Sequence, residues 1–237
     1  MERLLIKIGS DLAGKNAVWK VGELVKYLKG KNVHVTLISS GAKKLDKELY
    51  AKIYENTKVS KGAQRARGQV ELMHLYKNIF KDHELNIGMI LINKKDLEDS
   101  ENLTRIKQVV DELYEQNTIP IINENSMLTN DETTFGDNDL LAGNLAKKMD
   151  YTKIVFISSV NGLYKNYGMP NQELIKKIRY EDALKYVVEK KSENGKGGMK
   201  SKLTACNLSG KECIITDVNS ALSVIKGTNK KYTLITP

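Results

Sequence analysis

The sequence predicts an α/β protein built around a mainly parallel sheet, and three observations predict it. Short β-branched runs alternate with segments of helical periodicity along the chain. Each run is bounded by Gly, Asn, Asp or Ser, and polar clusters follow the carboxyl ends of several runs. In order, Leu4–Ile8 reads as a strand that stops at Gly9-Ser10. Val18–Gly30 reads as a helix, with Val18, Val21, Val25 and Leu28 on one face. His34–Ser39 is a strand between Asn32 and Gly41, and Gln64–Lys81 is a helix carrying Leu72, Tyr76, Ile79 and Phe80 at helical spacing. The strand Ile87–Ile92 lies between Asn86 and Asn93. The helix Thr104–Gln116 precedes the strand Ile119–Asn123, and the helix Asn138–Met149 precedes the strand Ile154–Ser158. Helices Glu181–Glu189 and Met199–Leu208, the strand Glu212–Thr216 after Gly210, the helix Ser220–Lys226 and the strand Thr233–Ile235 complete the pattern. No internal repeat or linker interrupts it, so residues 1–237 read as one domain.

Composition narrows the function classes. With 41% hydrophobic and 28% charged residues, 17 Gly and 3 Pro, the chain is neither collagen-like nor low-complexity. The longest apolar run, Ile87–Ile92, is far short of the roughly 20 residues of a membrane helix, and Glu2, Arg3 and Lys7 interrupt the start as no signal peptide would be interrupted. A cytoplasmic protein without a membrane partner is expected. Cys206 and Cys213 lack metal-site spacing and read as buried, reduced packing residues. His34, His74 and His83 show no ligand spacing and read as structural. The formal charge of +9 raises the question of nucleic acid. The lysines are scattered, however, and Lys43-Lys44, Lys147-Lys148 and Lys190-Lys191 are doublets rather than a basic arm, so a solvated surface explains them and no nucleic-acid partner is expected. A small anionic substrate would also gain from a positive field.

In open α/β sheets, ligands bind outside the carboxyl ends of the strands. Lys7-Ile-Gly-Ser10, Ser39-Ser-Gly-Ala42, Asn123-Glu-Asn125 and Ser158-Ser159 all fall at such ends and are expected to line one crevice. Lys7 interrupts an apolar strand; it either meets a counter-charge or ligand inside, or lies on an edge strand facing water. Asp137 and Asp139 precede or open a helix, where one carboxylate suffices as a cap and the other is left for a lysine or a substrate amine. The Gly195-Lys-Gly-Gly198 segment leads into a helix. It is either a phosphate-cradling loop reinforced by Lys196, Lys200 and Lys202, or a flexible surface turn. Gly9 to Asn16 matches a P-loop up to Lys15, but Asn16 stands where a magnesium-binding hydroxyl belongs.

Taken together, Lys-Ile-Gly-Ser at Lys7, Ser-Ser-Gly-Ala at Ser39, Ile-Pro-Ile-Ile-Asn-Glu-Asn at Ile119, Phe-Gly-Asp-Asn-Asp at Phe135, Asn-Gly-Leu-Tyr at Asn161 and Gly-Gly-Met-x-Ser-Lys-Leu at Gly197 resemble the glutamate 5-kinases of the amino-acid-kinase superfamily, in that family's order across nearly the whole chain. The His-Gly-Gly motif of acetylglutamate and isopentenyl phosphate kinases and the Lys-Phe-Gly-Gly-Thr-Ser motif of aspartokinases are not present. The resemblance implies a three-layer αβα sandwich, with the acceptor in the N-terminal half and ATP in the C-terminal half. It implies transfer of the γ-phosphoryl group of ATP, with Mg2+ bound through the ATP and no metal site on the protein, to the side-chain carboxylate of L-glutamate. Lys7 and Lys202 would stabilise the transferring group and Asp139 would hold them, completing the catalytic set. Ser40, Gly41, Asn123, Asp137 and Asn138 would bind glutamate; Gly9, Ser158, Gly197, Gly198 and Met199, with Lys7 and Lys202, would face ATP. A glutamyl-phosphate reductase is the implied functional partner, and a homo-oligomer the implied assembly.

The chain departs from the family pattern at three places. Asn123-Glu-Asn-Ser126 replaces Asn-Glu-Asn-Asp, removing a carboxylate partner of the substrate's ammonium group; glutamate affinity is expected to fall about tenfold or more unless Asp137 compensates. Ser158-Ser159 replaces Thr-Asp, and Lys196 enters the glycine loop. These changes keep two alternatives in view: the same fold acting on another small carboxylate or phosphate, and a non-catalytic nucleotide- or amino-acid-binding regulator. The sequence ends at Pro237 after the last predicted strand, so a kinase domain is expected without the RNA-binding-type PUA domain of many family members.

Overall fold

The computed structural model describes residues 1–127, 135, 137–187 and 198–237. The chain begins with β1 (Arg3–Ile8), a 3-10 turn at Ser10–Leu12, α1 (Lys15–Lys29), β2 (His34–Ile38), α2 (Ala42–Leu49), α3 (Ala51–Asn56), α4 (Lys61–Asp82) and β3 (Asn86–Ile92). It continues through α5 (Lys94–Glu98), α6 (Ser100–Glu115), β4 (Thr118–Glu124), α7 (Asn138–Lys148) and β5 (Lys153–Ser158). The remainder comprises β6 (Tyr164–Lys165), β7 (Glu173–Leu174), β8 (Lys177–Arg179), α8 (Tyr180–Ala183), α9 (Met199–Ser209), β9 (Glu212–Asp217), α10 (Ala221–Ile225) and β10 (Tyr232–Thr236).

Eight strands form one sheet in the order β3-β4-β2-β1-β5-β9-β10-β8, while β6 and β7 pair separately. Pairing is parallel from β3 through β9; β10 runs antiparallel to β9, and β8 is parallel to β10. Pro120 sits inside β4 without breaking the sheet, because β2 pairs with β4 only from Ile121 onward and asks nothing of the missing N–H.

The period of two along β1 sorts the core. Leu4, Ile6 and Ile8 point to one face, where Val18 and Val21 of α1 and Leu72 and Tyr76 of α4 cover them. Leu5 points to the other, against Leu141 and Leu145 of α7 and Leu203 of α9. Two helical layers thus enclose the sheet. The same alternation puts Lys7 on the face of Leu5, beneath α7.

Every predicted strand forms, and so do the predicted helices on α1, α4, α6, α7, α9 and α10, with ends shifted by a few residues. The expected helix Glu181–Glu189 does not. Its segment makes only α8, a 3-10 turn at Leu184–Tyr186 and an extended Val187, with residues 188 and 189 outside the described ones. The physical reason is that Ala183 alone is buried there, so no apolar stripe holds a longer helix, and β-branched Val187 prefers extended backbone. Helices α2, α3 and α5 and strands β6, β7 and β8 were not expected. The strands are two or three residues long. Helix α5 rests on a capping box in which Asn93 accepts from the backbone of Lys95 and Asp96, and Asp96 accepts from that of Asn93. Among the described residues no helix is long and apolar enough to cross a membrane, and Cys206 and Cys213 are free and buried.

Candidate active site

From β1 the chain winds outward to β2, while β5 takes the opposite side of β1, so the strand order reverses between β1 and β5. A crevice opens where the two strand ends diverge. The Gly9 N–H donates to the Ile157 carbonyl at 3.0 Å, closing its floor. The crevice holds about 500 Å³. Its lining includes Lys7, Gly9, Ser40, Gly41, Asn123, Asp137, Asn138, Asp139, Ser158, Gly198, Met199 and Lys202. Four polar clusters scattered through the sequence therefore meet in one place. Of the predicted nucleotide-facing residues, Gly197 lies outside the described residues, as do Gly195 and Lys196.

At the centre stands a buried triad. Lys7 Nζ is 2.6 Å from one Asp139 carboxylate oxygen and Lys202 Nζ is 3.0 Å from the other, with relative exposures of 5%, 7% and 0% for Lys7, Lys202 and Asp139. Lys7 is held on a central strand, not on an edge facing water. Its partner arrives because α7 and α9 lie nearly in backbone contact: a Cβ on Gly143 would be 2.7 Å from the Ala205 carbonyl oxygen. One turn earlier on the same face of α7 is Asp139, and opposite it on α9 is Lys202. Burial opposes ionisation of Asp139, but the charges of Lys7 and Lys202 outweigh it and hold the carboxyl below the usual carboxylate range. Asp137 is the helix cap, accepting from the backbone N–H of Asp139 at 2.8 Å and of Leu140 at 3.0 Å. The Ser201 hydroxyl donates to its second oxygen, tying α9 to α7.

Toward β2 and β4 the crevice wall is a locked amide network. Asn138 Nδ2 donates to the Ser39 carbonyl at 2.6 Å and to Asn123 Oδ1 at 2.7 Å, while Asn123 Nδ2 donates to Gln69 Oε1 at 3.0 Å. Glu124 accepts from the Phe135 N–H at 2.6 Å. Gly41 opens α2 with φ +102, and a Cβ there would stand 2.2 Å from the Ala13 Cβ. Only glycine fits. Lys43, Lys44, Lys61 and Arg65 line this end, and Arg65 Nη1 donates to the Ser126 carbonyl at 2.7 Å. The Lys43-Lys44 doublet, read from sequence as solvated surface, is thus part of the crevice. No periodicity separates a lysine that borders a cleft from one that borders bulk water.

Toward β5 and β9 the wall changes character. Leu163, Tyr164, Tyr167 and Tyr186 join Met199 and Ser158-Ser159. Helix α9 begins here at Gly198, which with Met199 lines the crevice, and among the described residues no side chain caps it, so the positive end of its dipole lies at this wall. Tyr164 closes the Asn161-Gly-Leu-Tyr motif, whereas Tyr167 and Tyr186 carry no sequence signal, since aromatic residues at irregular spacing are more often core. The P-loop alternative fails on geometry: Lys15 is exposed in the first turn of α1 and does not line the crevice. None of the three histidines lines it; His34 stacks on Tyr114, and His83 meets Trp19 at a tilted angle.

The pattern of the amino acid kinase family matches residues 2–216. The glutamate 5-kinase of Pelagibacter ubique is 33% identical over 248 residues, covering 96% of this chain and 66% of its own length. The glutamate 5-kinase 2 of Bacillus subtilis is 34% identical over 218 residues, covering 86% of this chain and 58% of its own. The chain thus spans at most about two thirds of the length of these two relatives. Among solved structures, carbamate kinase from Giardia lamblia bound to AMP-PNP superimposes with a TM-score of 0.68 at 16% identity, covering 99% of this chain and 98% of that one. That likeness is one of fold.

Proposed function

The chain belongs to the amino acid kinase family, and from that premise we propose that it is an ATP-dependent carboxylate kinase forming L-glutamyl 5-phosphate from L-glutamate, the first step of proline synthesis. The observation that carries this reading is the Lys7–Asp139–Lys202 triad at the strand switch point.

An acceptor carboxylate and a nucleotide γ-phosphate repel one another, and their transition state spreads negative charge over the transferring oxygens. Such a reaction asks the protein for positioning and fixed positive charge rather than for covalent chemistry. Lys7 and Lys202 enter the crevice from different layers, a strand and a helix, and would meet the transferring group from two sides. Asp139 acts through them. As a positioning residue it holds both ammonium groups in place before substrate arrives, and neutralises part of their mutual repulsion where all three groups are buried. Ser40, Gly41, Asn123, Asp137 and Asn138 are assigned to the acceptor. Gly9, Ser158, Gly198 and Met199, with both lysines, are assigned to ATP. One observation supports placing the nucleotide in that half: α9 starts at the crevice with Gly198 as its cap residue, and among the described residues no side chain caps it. Mg2+ would be held through the phosphates of ATP rather than by a protein ligand set, and would add charge neutralisation beside Lys7 and Lys202.

The product is an acyl phosphate that hydrolyses and cyclises readily, so a reductase that consumes it is the expected functional partner. Action in the cytoplasm and a homo-oligomeric assembly belong to the same proposal. One observation favours a second reading, another small carboxylate as acceptor: Ser126 lines the crevice where the family resemblance calls for a carboxylate, and Arg65 lies beside it on its backbone carbonyl.

Hydroxylamine trapping tests the reaction, because it converts an acyl phosphate into a stable hydroxamate. Saturable, ATP-dependent hydroxamate is expected with L-glutamate, and Lys202→Ala should lower it by about 10²–10³-fold or more. That variant keeps the Lys7–Asp139 pair, so its unfolding midpoint should stay close to wild type. Full turnover in it would sink the mechanism.

A further inference from the structure

The acceptor end of the crevice has a charge pattern of its own. Lys43 on α2 and Lys61 and Arg65 on α4 line it, Lys43 and Arg65 half-buried. Among the described residues no carboxylate forms an ion pair with any of the three, whereas neighbouring Lys44 and Arg67 pair with Glu48 and Asp46. Burial, and then the charges of Lys47, Lys61 and Arg65, pull the Lys43 ammonium below its ordinary range, as expected of clustered cations. The described carboxylates of the lining form no ion pair with these three cations, Asp137 keeping beside its cap the acceptor contact assigned above. Asp137 caps α7, Asp139 bridges the two buried lysines, Glu124 accepts from Phe135, and Asp11 is exposed on the turn after β1.

The cations are also held in place. Helices α2 and α4 touch so closely that a Cβ on Gly68 would lie 1.8 Å from the Ala42 carbonyl oxygen. Arg67 clamps Asp46 from α4 to α2 with hydrogen bonds of 2.7 and 3.3 Å. Arg65 is anchored at 2.7 Å on the Ser126 carbonyl, so a guanidinium stands beside the residue expected by resemblance to be the ammonium's carboxylate partner. An ammonium group there meets repulsion; a second carboxylate meets attraction.

We propose that Lys43, Lys61 and Arg65 form an anion subsite that reads the acceptor's second, non-reacting carboxylate, so that this chain recognises a dicarboxylate by its two negative ends without requiring an α-ammonium group. The identity of the reacting carboxylate rests on the kinase reading above. Recognition itself is a binding property, measured without turnover.

The test is calorimetric titration of the full chain, in the presence of MgADP, with three probes: L-glutamate, glutarate, which lacks the ammonium, and L-glutamate α-amide, which lacks the second carboxylate. Glutarate should bind within about tenfold of glutamate, and the α-amide at least about tenfold more weakly than either, the value of one charge-assisted contact. Lys43→Gln and Arg65→Gln should each weaken glutarate about tenfold while leaving the α-amide within about twofold of wild type, and Arg65→Lys should restore part of the loss. A role in packing alone would weaken all three probes together. The subsite is overturned if the α-amide binds as tightly as glutamate, if both Gln variants bind glutarate as wild type does, or if wild type binds none of the probes. Hydroxamate formation with an unselective binding pattern overturns the subsite and leaves the kinase reading intact. The expected binding pattern without hydroxamate from any acceptor supports the subsite and removes the kinase reading.

Discussion

Asp139 has both oxygens within ion-pair distance of a buried lysine and no access to water. Removing the shared anion from such a triad leaves two desolvated cations facing each other, a change that costs about 3–5 kcal/mol for a buried pair. Asp139→Asn should therefore lower the urea midpoint strongly, with hydroxamate formation falling in parallel. The pH dependence follows from the direction of the shift. The folded carboxyl titrates below the unfolded one, so its contribution is fully present above the unfolded value of about 3.9 and disappears as pH falls through the folded value. Wild type should lose this increment only below about pH 4. Denaturation midpoints measured from pH 7 to pH 3 should show that limb in wild type and not in the Asn variant. At this scale the sequence was informative about Lys7, since a charge within an apolar strand demands a partner. It was silent about Lys43 and Arg65, which look like any solvated lysine or arginine until a second helix comes alongside.

At the scale of elements, α2 explains what periodicity misses. Its sequence, Ala42 to Leu49, shows few apolar residues, and one of the three residues it buries is Asp46. That carboxylate goes inside because Arg67 meets it with two hydrogen bonds and the Tyr54 hydroxyl donates to it, a pairing across α2, α3 and α4 that no local pattern announces. Burial works against ionisation of Asp46, and the Arg67 and Tyr54 hydrogen bonds prevail, holding its carboxyl low. The approach of α4 to α2 depends on Gly68, where even a methyl group would overlap the Ala42 carbonyl. Gly68→Ala should push the helices apart and destabilise the protein by about 1–3 kcal/mol, as overpacking does. Because α2 borders the acceptor end, the KM for glutamate should rise more than the KM for ATP. Urea denaturation with steady-state kinetics on the same variant checks both halves of that expectation.

For the whole molecule, the two ends of the crevice differ in chemistry, cations and amides toward β2 and β4, tyrosines and an open helix end toward β5 and β9. A nucleotide that binds only the folded chain stabilises it by mass action, by about 2.7 kcal/mol at a hundredfold excess over Kd. For a domain of this size that corresponds to a rise in Tm of about 5–10 °C. Differential scanning with MgATP should show it, and an unchanged Tm at millimolar MgATP would count against a nucleotide half.

The sequence by itself determined the α/β class, the strands of the sheet and most of the long helices, because burial on a strand or helix face imprints a local period of two or about 3.6 residues. It also marked Lys7 as a charge out of place in an apolar strand, Asn123 at a strand end, and Asp137 and Asp139 at a helix start, while Lys202 stood out among its neighbouring lysines only through the family resemblance. The helix start alone left open which aspartate caps, and it was the family resemblance that gave Asp139 to the lysines; only the tertiary structure made Asp137 the cap, its second oxygen taken by Ser201. It alone excluded the P-loop, placed Lys7 on an interior strand, and turned three dispersed cations on α2 and α4 into one charged wall. Those outcomes depend on contacts between residues far apart in the chain, such as Lys7 with Asp139 and Asp139 with Lys202, and electrostatics acts through space without leaving a period in the chain.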